Sequence, residues 1–396
     1  MSTEPRLTPR VYVVLGLVVM LGPLATSLYV PGLPSLAESL DVTTAQAQIT
    51  ITACLLGLAI GQVFIGPISD RWGRRTPIIV GIVVYLVASL LCSIAPTLPI
   101  LLGLRFLQGL AGSAGIVVAR ASVRDLAAGT AAAVALSRLL MVTGVAPVVG
   151  PLIGGQLLRI ADWRVLFLAL AAAGFVSLVT ALLWFRETLP SDRRTKVGVS
   201  PQIRAMGRLL RDRDVVASML VIFLLGGVTF SWMASGPFYF EVEYDMSAPV
   251  FSTVIAIASV AFVLGALVNT RVVRAIGVRP ALIRGLTVVA LLALAVLVTG
   301  LLHLPVWWVV ASGVLTMGVY GGMGANAQAL ALTPHGQVAG AVAALLGMMQ
   351  FVGGAVIPPL ATILVGETWA MGAGMAVAGL GALAVAVVLT RAPSST

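Results

Sequence analysis

The chain has 396 residues, 59% hydrophobic and only 10% charged, with a mean hydropathy of +1.08. Soluble domains typically carry about 25% charged residues, so 24 basic and 14 acidic side chains cannot cover a water-facing globule of this length. That excludes a soluble protein and leaves an integral membrane protein, whose net charge of +10 needs a reading other than nucleic-acid binding.

Spanning a hydrocarbon layer of about 30 Å takes about 20 apolar residues per helix. Apolar stretches of that kind fall near 11–32, 46–68, 76–95, 98–120, 134–158 and 164–185. After a polar break, six more fall near 215–238, 249–270, 279–300, 304–330, 337–364 and 368–390. The runs lack the alternation of a membrane barrel, so the expectation is an all-α membrane protein with twelve transmembrane helices in two six-helix bundles. The first run is too long for a signal peptide and no small-residue cleavage site follows it, only Tyr29, Pro31 and Pro34. The expected organisation is a bundle over 1–185, a cytoplasmic linker over 186–214 and a second bundle over 215–396.

Charge sets the expected orientation. With both ends inside, 21 of the 24 basic residues fall in inside segments, among them Arg6, Arg71, Arg74, Lys196, Arg271 and Arg391. The outer loops hold only Arg159 and Arg164, together with Glu38, Asp41, Glu241, Glu243 and Asp245. The positive-inside bias places both termini in the cytoplasm of a cell-membrane protein. The two halves also echo each other: GPISDRWGRRTPII after the second span and GALVNTRVVRAIGVRPALI after the eighth each place Arg, Gly and Arg before the next apolar run. Six-plus-six repeats are a transporter architecture.

The densest polar motif is Gly66-Pro67-Ile68-Ser69-Asp70-Arg71-Trp72-Gly73-Arg74-Arg75. Gly66 allows a neighbouring helix to approach, Asp70 at a helix end is placed to pair with arginine, and Gly73 permits a tight turn. Arg105 lies inside the fourth span, three residues before Gln108. An arginine there costs about 2.5–3.5 kcal/mol on insertion scales and normally faces a partner or cavity; the alternative is snorkelling to the outer surface. Pro147, Gly150, Pro151, Gly154 and Gly155 in the fifth span combine lost backbone bonds with close packing, the composition of a hinge. Tyr29, Trp232, Tyr239, Tyr320, Asn326, Gln328 and Gln350 are candidate cavity groups, although aromatic residues also anchor helices at interfaces; Tyr29, Arg105, Trp232, Tyr320 and Gln350 are the expected substrate-binding residues. No carboxylate falls in the middle of any predicted span, which leaves Asp70, Asp125 and Glu38 at helix ends as candidate proton carriers.

The string from Gly66 to Arg75 resembles the loop 2–3 signature of the major facilitator superfamily, where it forms a cytoplasmic latch. The resemblance implies that role for Gly66, Asp70, Arg71, Gly73 and Arg74. Arg105-Phe106-Leu107-Gln108-Gly109 is similar to that family's R-x-x-Q-G motif, and Gly150-Pro151-Leu152-Ile153-Gly154-Gly155 to its G-P-x-x-G-G antiporter motif. Ala119-Arg120-Ala121-Ser122-Val123-Arg124-Asp125-Leu126 resembles a stretch of the bicyclomycin and chloramphenicol resistance-type drug exporters. That likeness implies proton-driven export of small drug-like molecules by a monomer, with Arg105, Gln108, Arg124 and Asp125 in coupling. A metabolite carrier of the same superfamily is the alternative. A membrane enzyme lacks mid-span Asp, Glu and His, an ATP-driven pump lacks its phosphate loop, and no cofactor or metal is expected. The absence of a mid-span carboxylate beside the fixed charge of Arg105 favours neutral or oxygen-rich substrates over organic cations.

Overall fold

The computed structural model describes residues 8–195 and 200–389. Arg6, Lys196 and Arg391, counted above among the inside charges, lie outside the described residues. Among the described residues the regular elements are helices without strands, and twelve spans are long and apolar enough to cross a membrane. The protein is a multi-pass membrane protein, as its hydropathy predicts.

The membrane helices are α1 (Pro9–Ser27), α2 (Thr44–Trp72), α3 (Arg75–Ser93), α4 (Leu98–Leu126), α5 (Gly129–Leu157) and α6 (Arg164–Trp184). The second series is α7 (Arg213–Pro237), α8 (Ala248–Ile276), α9 (Val278–Leu301), a broken α10, α11 (Ala339–Val365) and α12 (Glu367–Leu389). Local chemistry sets several boundaries. Thr8 caps α1 by accepting from the Val11 amide, with Pro9 opening the helix. Asp212 caps α7 by accepting from the amides of Asp214 and Val215.

Three spans differ from the sequence reading. The first ends its α-helix at Ser27 and continues as a 3-10 turn, Val30–Gly32, and a short helix, Leu33–Ser39; Pro31 and Pro34 supply no backbone N–H to carry α1 onward. The seventh runs on through a π-helical turn, Phe238–Glu243. The tenth, predicted as one run, is broken into α10a (Val306–Tyr320) and α10b (Met323–Leu332), with Gly321 and Gly322 at the break.

Two compact units emerge. The described residues of Met1–Gly32 and Ala53–Ile203 form one, and those of Leu33–Thr52 and Arg204–Thr396 the other. Within the first, α3 packs on α4 and α6, and α1 packs on α4, α5 and α6. Gly109 of α4 is one reason such packing is close: a methyl group there would lie 1.9 Å from the Cys54 carbonyl oxygen of α2. Within the second, α7 packs on α11 and α12, and α9 on α10a and α12. Lipid tails are as apolar as leucine, so contacts of this kind and buried hydrogen bonds hold such helices together.

Candidate functional site

Three polar clusters stand out against the apolar packing. The first lies where α2 turns into α3. Gly73 adopts φ +87°, a left-handed conformation suited to glycine, and a methyl group there would meet the Glu187 carboxylate at 2.3 Å. The turn brings Arg74, 5% exposed, back over the end of α2. Its Nη1 donates to Asp70 Oδ1 at 2.6 Å and Ser69 Oγ at 2.7 Å, and its Nε donates to Asp125 Oδ2 of α4 at 2.8 Å. Burial works against the Arg74 charge, but the hydrogen bonds and charges of Asp125 and Asp70 outweigh it and hold its pKa above the ordinary arginine value.

Glu187, just beyond α6, completes this cluster. Its carboxylate accepts from the backbone amides of Arg74 at 2.7 Å and Arg75 at 3.2 Å, serving the orphan donors and positive dipole at the start of α3. Arg194 Nη2 approaches the same carboxylate at 3.5 Å. Thr188 Oγ1 donates to Asp125 Oδ2 at 3.3 Å, and the Thr195 amide donates to the Asp70 carbonyl at 3.0 Å. Asp70, Gly73, Arg74 and Asp125 therefore come together, and the Gly66 carbonyl accepts from Ser69 Oγ in the turn below. Arg71 and Arg124 are exposed at the surface. Sequence reasoning missed Glu187 because its acceptance from Arg74 spans 113 residues.

The second cluster surrounds Arg105, which is fully buried. Nη1 donates to the Ala25 carbonyl of α1 at 2.9 Å and to Gln108 Oε1. Gln108 Nε2 donates to Ser89 Oγ of α3 at 2.8 Å, and Tyr85 OH donates to the Leu21 carbonyl at 3.0 Å. The guanidinium lies 4.5 Å from the Tyr29 ring centre and 5.5 Å from that of Phe167. Carbonyl oxygens and ring faces thus compensate the buried charge. This geometry is not snorkelling: the side chain ties α1, α3, α4 and α6 together inside one unit. Tyr29 is part of the tie, with its ring 5.0 Å from Phe167.

On α5, Pro147 and Pro151 are accommodated within a continuous helix that lies on the end of α1. Ser27 Oγ donates to the Ala146 carbonyl at 3.1 Å, and methyl groups on Gly150 or Gly154 would strike Ser27 Oγ or the Leu28 carbonyl. Gly155 is buried on the same helix.

The third cluster belongs to the second unit. Tyr320, buried at the end of α10a with its ring 5.6 Å from that of Phe262 of α8, interacts electrostatically with Thr229 of α7 and Gln350 of α11. One turn from Thr229, the Trp232 ring lies over Gly313 of α10a, where a methyl group would be 2.1 Å away, and meets Phe240 edge-on. Trp232 Nε1 is buried without a hydrogen-bond partner among the described residues. Nearby in the same unit, Gln48 Nε2 donates to Ser235 Oγ at 3.2 Å and its Oε1 accepts from Thr362 Oγ1 at 2.8 Å. Glu241, assigned to an outer loop by sequence, sits in the π-helical turn with Oε1 buried and no hydrogen-bond partner among the described residues. Gln48, Ser235 and Thr362 carry no local motif, so nothing in the sequence singled them out.

A family model described as the Major Facilitator Superfamily matches residues 15–358. The uncharacterized MFS-type transporter YdgK of Bacillus subtilis is 35% identical over 374 residues, 93% of each chain. A bicyclomycin resistance protein homolog of Haemophilus influenzae is 27% identical over 346 residues, 87% of each. The partially occluded, inward-open structure of the xylose transporter XylE from E. coli superposes with a TM-score of 0.71 at 15% identity, covering 94% of this chain and 96% of that one. At that identity the likeness establishes the fold. With twelve spans, the loop 2–3 cluster formed and a family match over most of its length, the chain belongs to the major facilitator superfamily of membrane transporters.

Proposed function

We propose that the protein exports small, mostly apolar drug-like molecules across the cell membrane in exchange for protons, working as a monomer by alternating access with both termini in the cytoplasm. The single observation that carries the substrate class is the cluster of Thr229, Trp232, Tyr320 and Gln350. It offers an indole donor, a phenol, an amide and a hydroxyl among aromatic rings, with no formal charge among them. Such a surface suits neutral, oxygen-bearing molecules and gives an organic cation no counter-ion. The bicyclomycin resistance homolog supports the same direction. The latch is assigned to Asp70, Arg74, Asp125 and Glu187. Arg105 positions helices, since an arginine keeps its proton in a protein and cannot carry one. Asp70 and Asp125, candidates by sequence, are both held by Arg74, so the coupled proton is assigned instead to Glu241, whose Oε1 is buried without a hydrogen-bond partner among the described residues.

The test is a growth-inhibition panel of neutral and permanently cationic drugs, with and without the protein, read with and without a protonophore. Export should favour the neutral drugs and collapse with the gradient, and Glu241→Gln should abolish the gradient-driven component. Robust export of permanent cations alone would overturn the substrate reading, and export indifferent to the protonophore would overturn the coupling.

A further inference from the structure

When Gly66 of the loop after the second span is aligned with Gly265 of the loop after the eighth, Asn269 stands where the first half has Asp70. The first-half position works through charge: Asp70 meets Arg74, which also holds Asp125 on α4. Between α8 and α10b no such ion pair is available, because the sequence has no Asp or Glu between Asp245 and Glu367; the acidic contact at that end, His335 Nε2 to Asp212 Oδ2 at 3.3 Å, joins the chain just past α10b to the start of α7. Asn269 instead pairs with Asn326. Asn269 Nδ2 donates to Asn326 Oδ1 at 2.9 Å, and Asn326 Nδ2 donates back to Asn269 Oδ1 at 3.0 Å. By the six-span repeat, α8 and α10 correspond to α2 and α4, so the amide pair joins the same two spans that the charged cluster joins in the first half.

The backbone beside the pair is interrupted. Asn326 lies on α10b, just past the break at Gly321–Gly322, and its amide donates to the Gly322 carbonyl at 3.1 Å. α8 packs along α10a, whereas α10b packs chiefly on α7 and α9. The amide pair is therefore a tie between α8 and a segment that otherwise belongs to other neighbours. Gly322 makes room for it: a methyl group there would fall 2.2 Å from Asn269 Cγ and 2.4 Å from its Cβ. Asn326 is 4% exposed, so left without Asn269 its amide loses bonds that water does not readily replace, whereas Asn269 is only half-buried.

We infer that Asn269 and Asn326 form an uncharged latch in the second half, holding α10b to α8 and releasing it about the Gly321–Gly322 break during the transport cycle. Two reciprocal amide bonds close with the shape of an ion pair but with no net charge, so the latch is insensitive to salt and to pH. Both residues are positioning residues.

The test needs no substrate, so it stands whether or not the drug-export reading does. Cys54 and Cys92 are replaced by alanine, and Ala331, fully buried on α10b, is replaced by cysteine as a reporter. Its labelling by a maleimide is timed in open membrane fragments. Asn269→Ala should raise the rate about tenfold, the scale of one unsatisfied buried amide, and Asn326→Ala should raise it by less, because the Asn269 amide it leaves is half-buried. The double variant should not exceed Asn269→Ala by much, because both remove the same bonds. Asn326→Asp keeps the shape and the bond from Asn269 Nδ2 but sets a buried carboxylate oxygen against Asn269 Oδ1, so it should raise the rate at least as far as Asn326→Ala. Gly322→Ala, which displaces Asn269 without altering either amide, should match Asn269→Ala. Labelling within twofold of the parent for Asn326→Asp and Gly322→Ala, or additive effects in the double variant, would overturn the inference.

Discussion

Asp70 and Asp125 share one arginine, yet their surroundings predict unequal consequences of losing their charge. The Asp125 side chain is 9% exposed and accepts from both Arg74 Nε and Thr188 Oγ1. The Asp70 side chain is 43% exposed. A charge-assisted hydrogen bond in a buried setting contributes about 1.5–3 kcal/mol, whereas an exposed ion pair typically contributes about 0.2–1 kcal/mol. Asp125→Asn should therefore shift the equilibrium away from the latched state by about 10- to 100-fold, and Asp70→Asn by about fivefold or less. The shift should not fade in high salt for Asp125→Asn, because a buried pair is screened little, and should fade for Asp70→Asn. The assay is transport rate and cysteine accessibility near the α2–α3 turn, at equal membrane abundance, in low and high salt. If Asp70→Asn proved the more damaging of the two, burial would not set the ranking and the latch would have to be explained by the identity of Asp70 itself.

Arg105→Lys keeps the charge but cannot bind Ala25 and Gln108 while stacking on Tyr29, so it should lower the melting temperature of the purified protein and slow transport; unchanged melting would refute the tie between helices. Trp232→Phe retains the ring and removes the unpartnered N–H, and should raise KM for an oxygen-bearing substrate about fivefold with kcat unchanged; a fall in kcat alone would place the indole outside the binding step. For topology, single cysteines at Ser191 and Ser247, in a chain lacking Cys54 and Cys92, should be respectively shielded from and reactive to an impermeant thiol reagent in intact cells. The opposite pattern would reverse the orientation.

The sequence by itself determined the membrane class, the twelve spans and the family. These follow from quantities that are local in the chain: the length of apolar runs, the scarcity of charge, and motifs of about ten residues such as the one from Gly66 to Arg75. Gly73 and Arg74 were legible for the same reason, since a turn and its i, i+4 pair lie within a few residues of each other. Tertiary structure decided which side chains complete each cluster. Glu187 reaches the start of α3 from beyond α6, Ala25 of α1 and Tyr29 just past its end close around Arg105, and Gln48 finds Ser235 and Thr362 far along the chain. Tertiary structure also separated Asp125, buried against Arg74, from the exposed Arg124 beside it. Neighbours on a helix differ by about 100° in direction, so only the packing of α4 decides which of the two turns inward. The break in α10 was written as Gly321–Gly322, but its meaning came from Asn269 lying against it. Hydropathy records how apolar a segment is and leaves open which buried polar group meets which, because that depends on where distant helices touch.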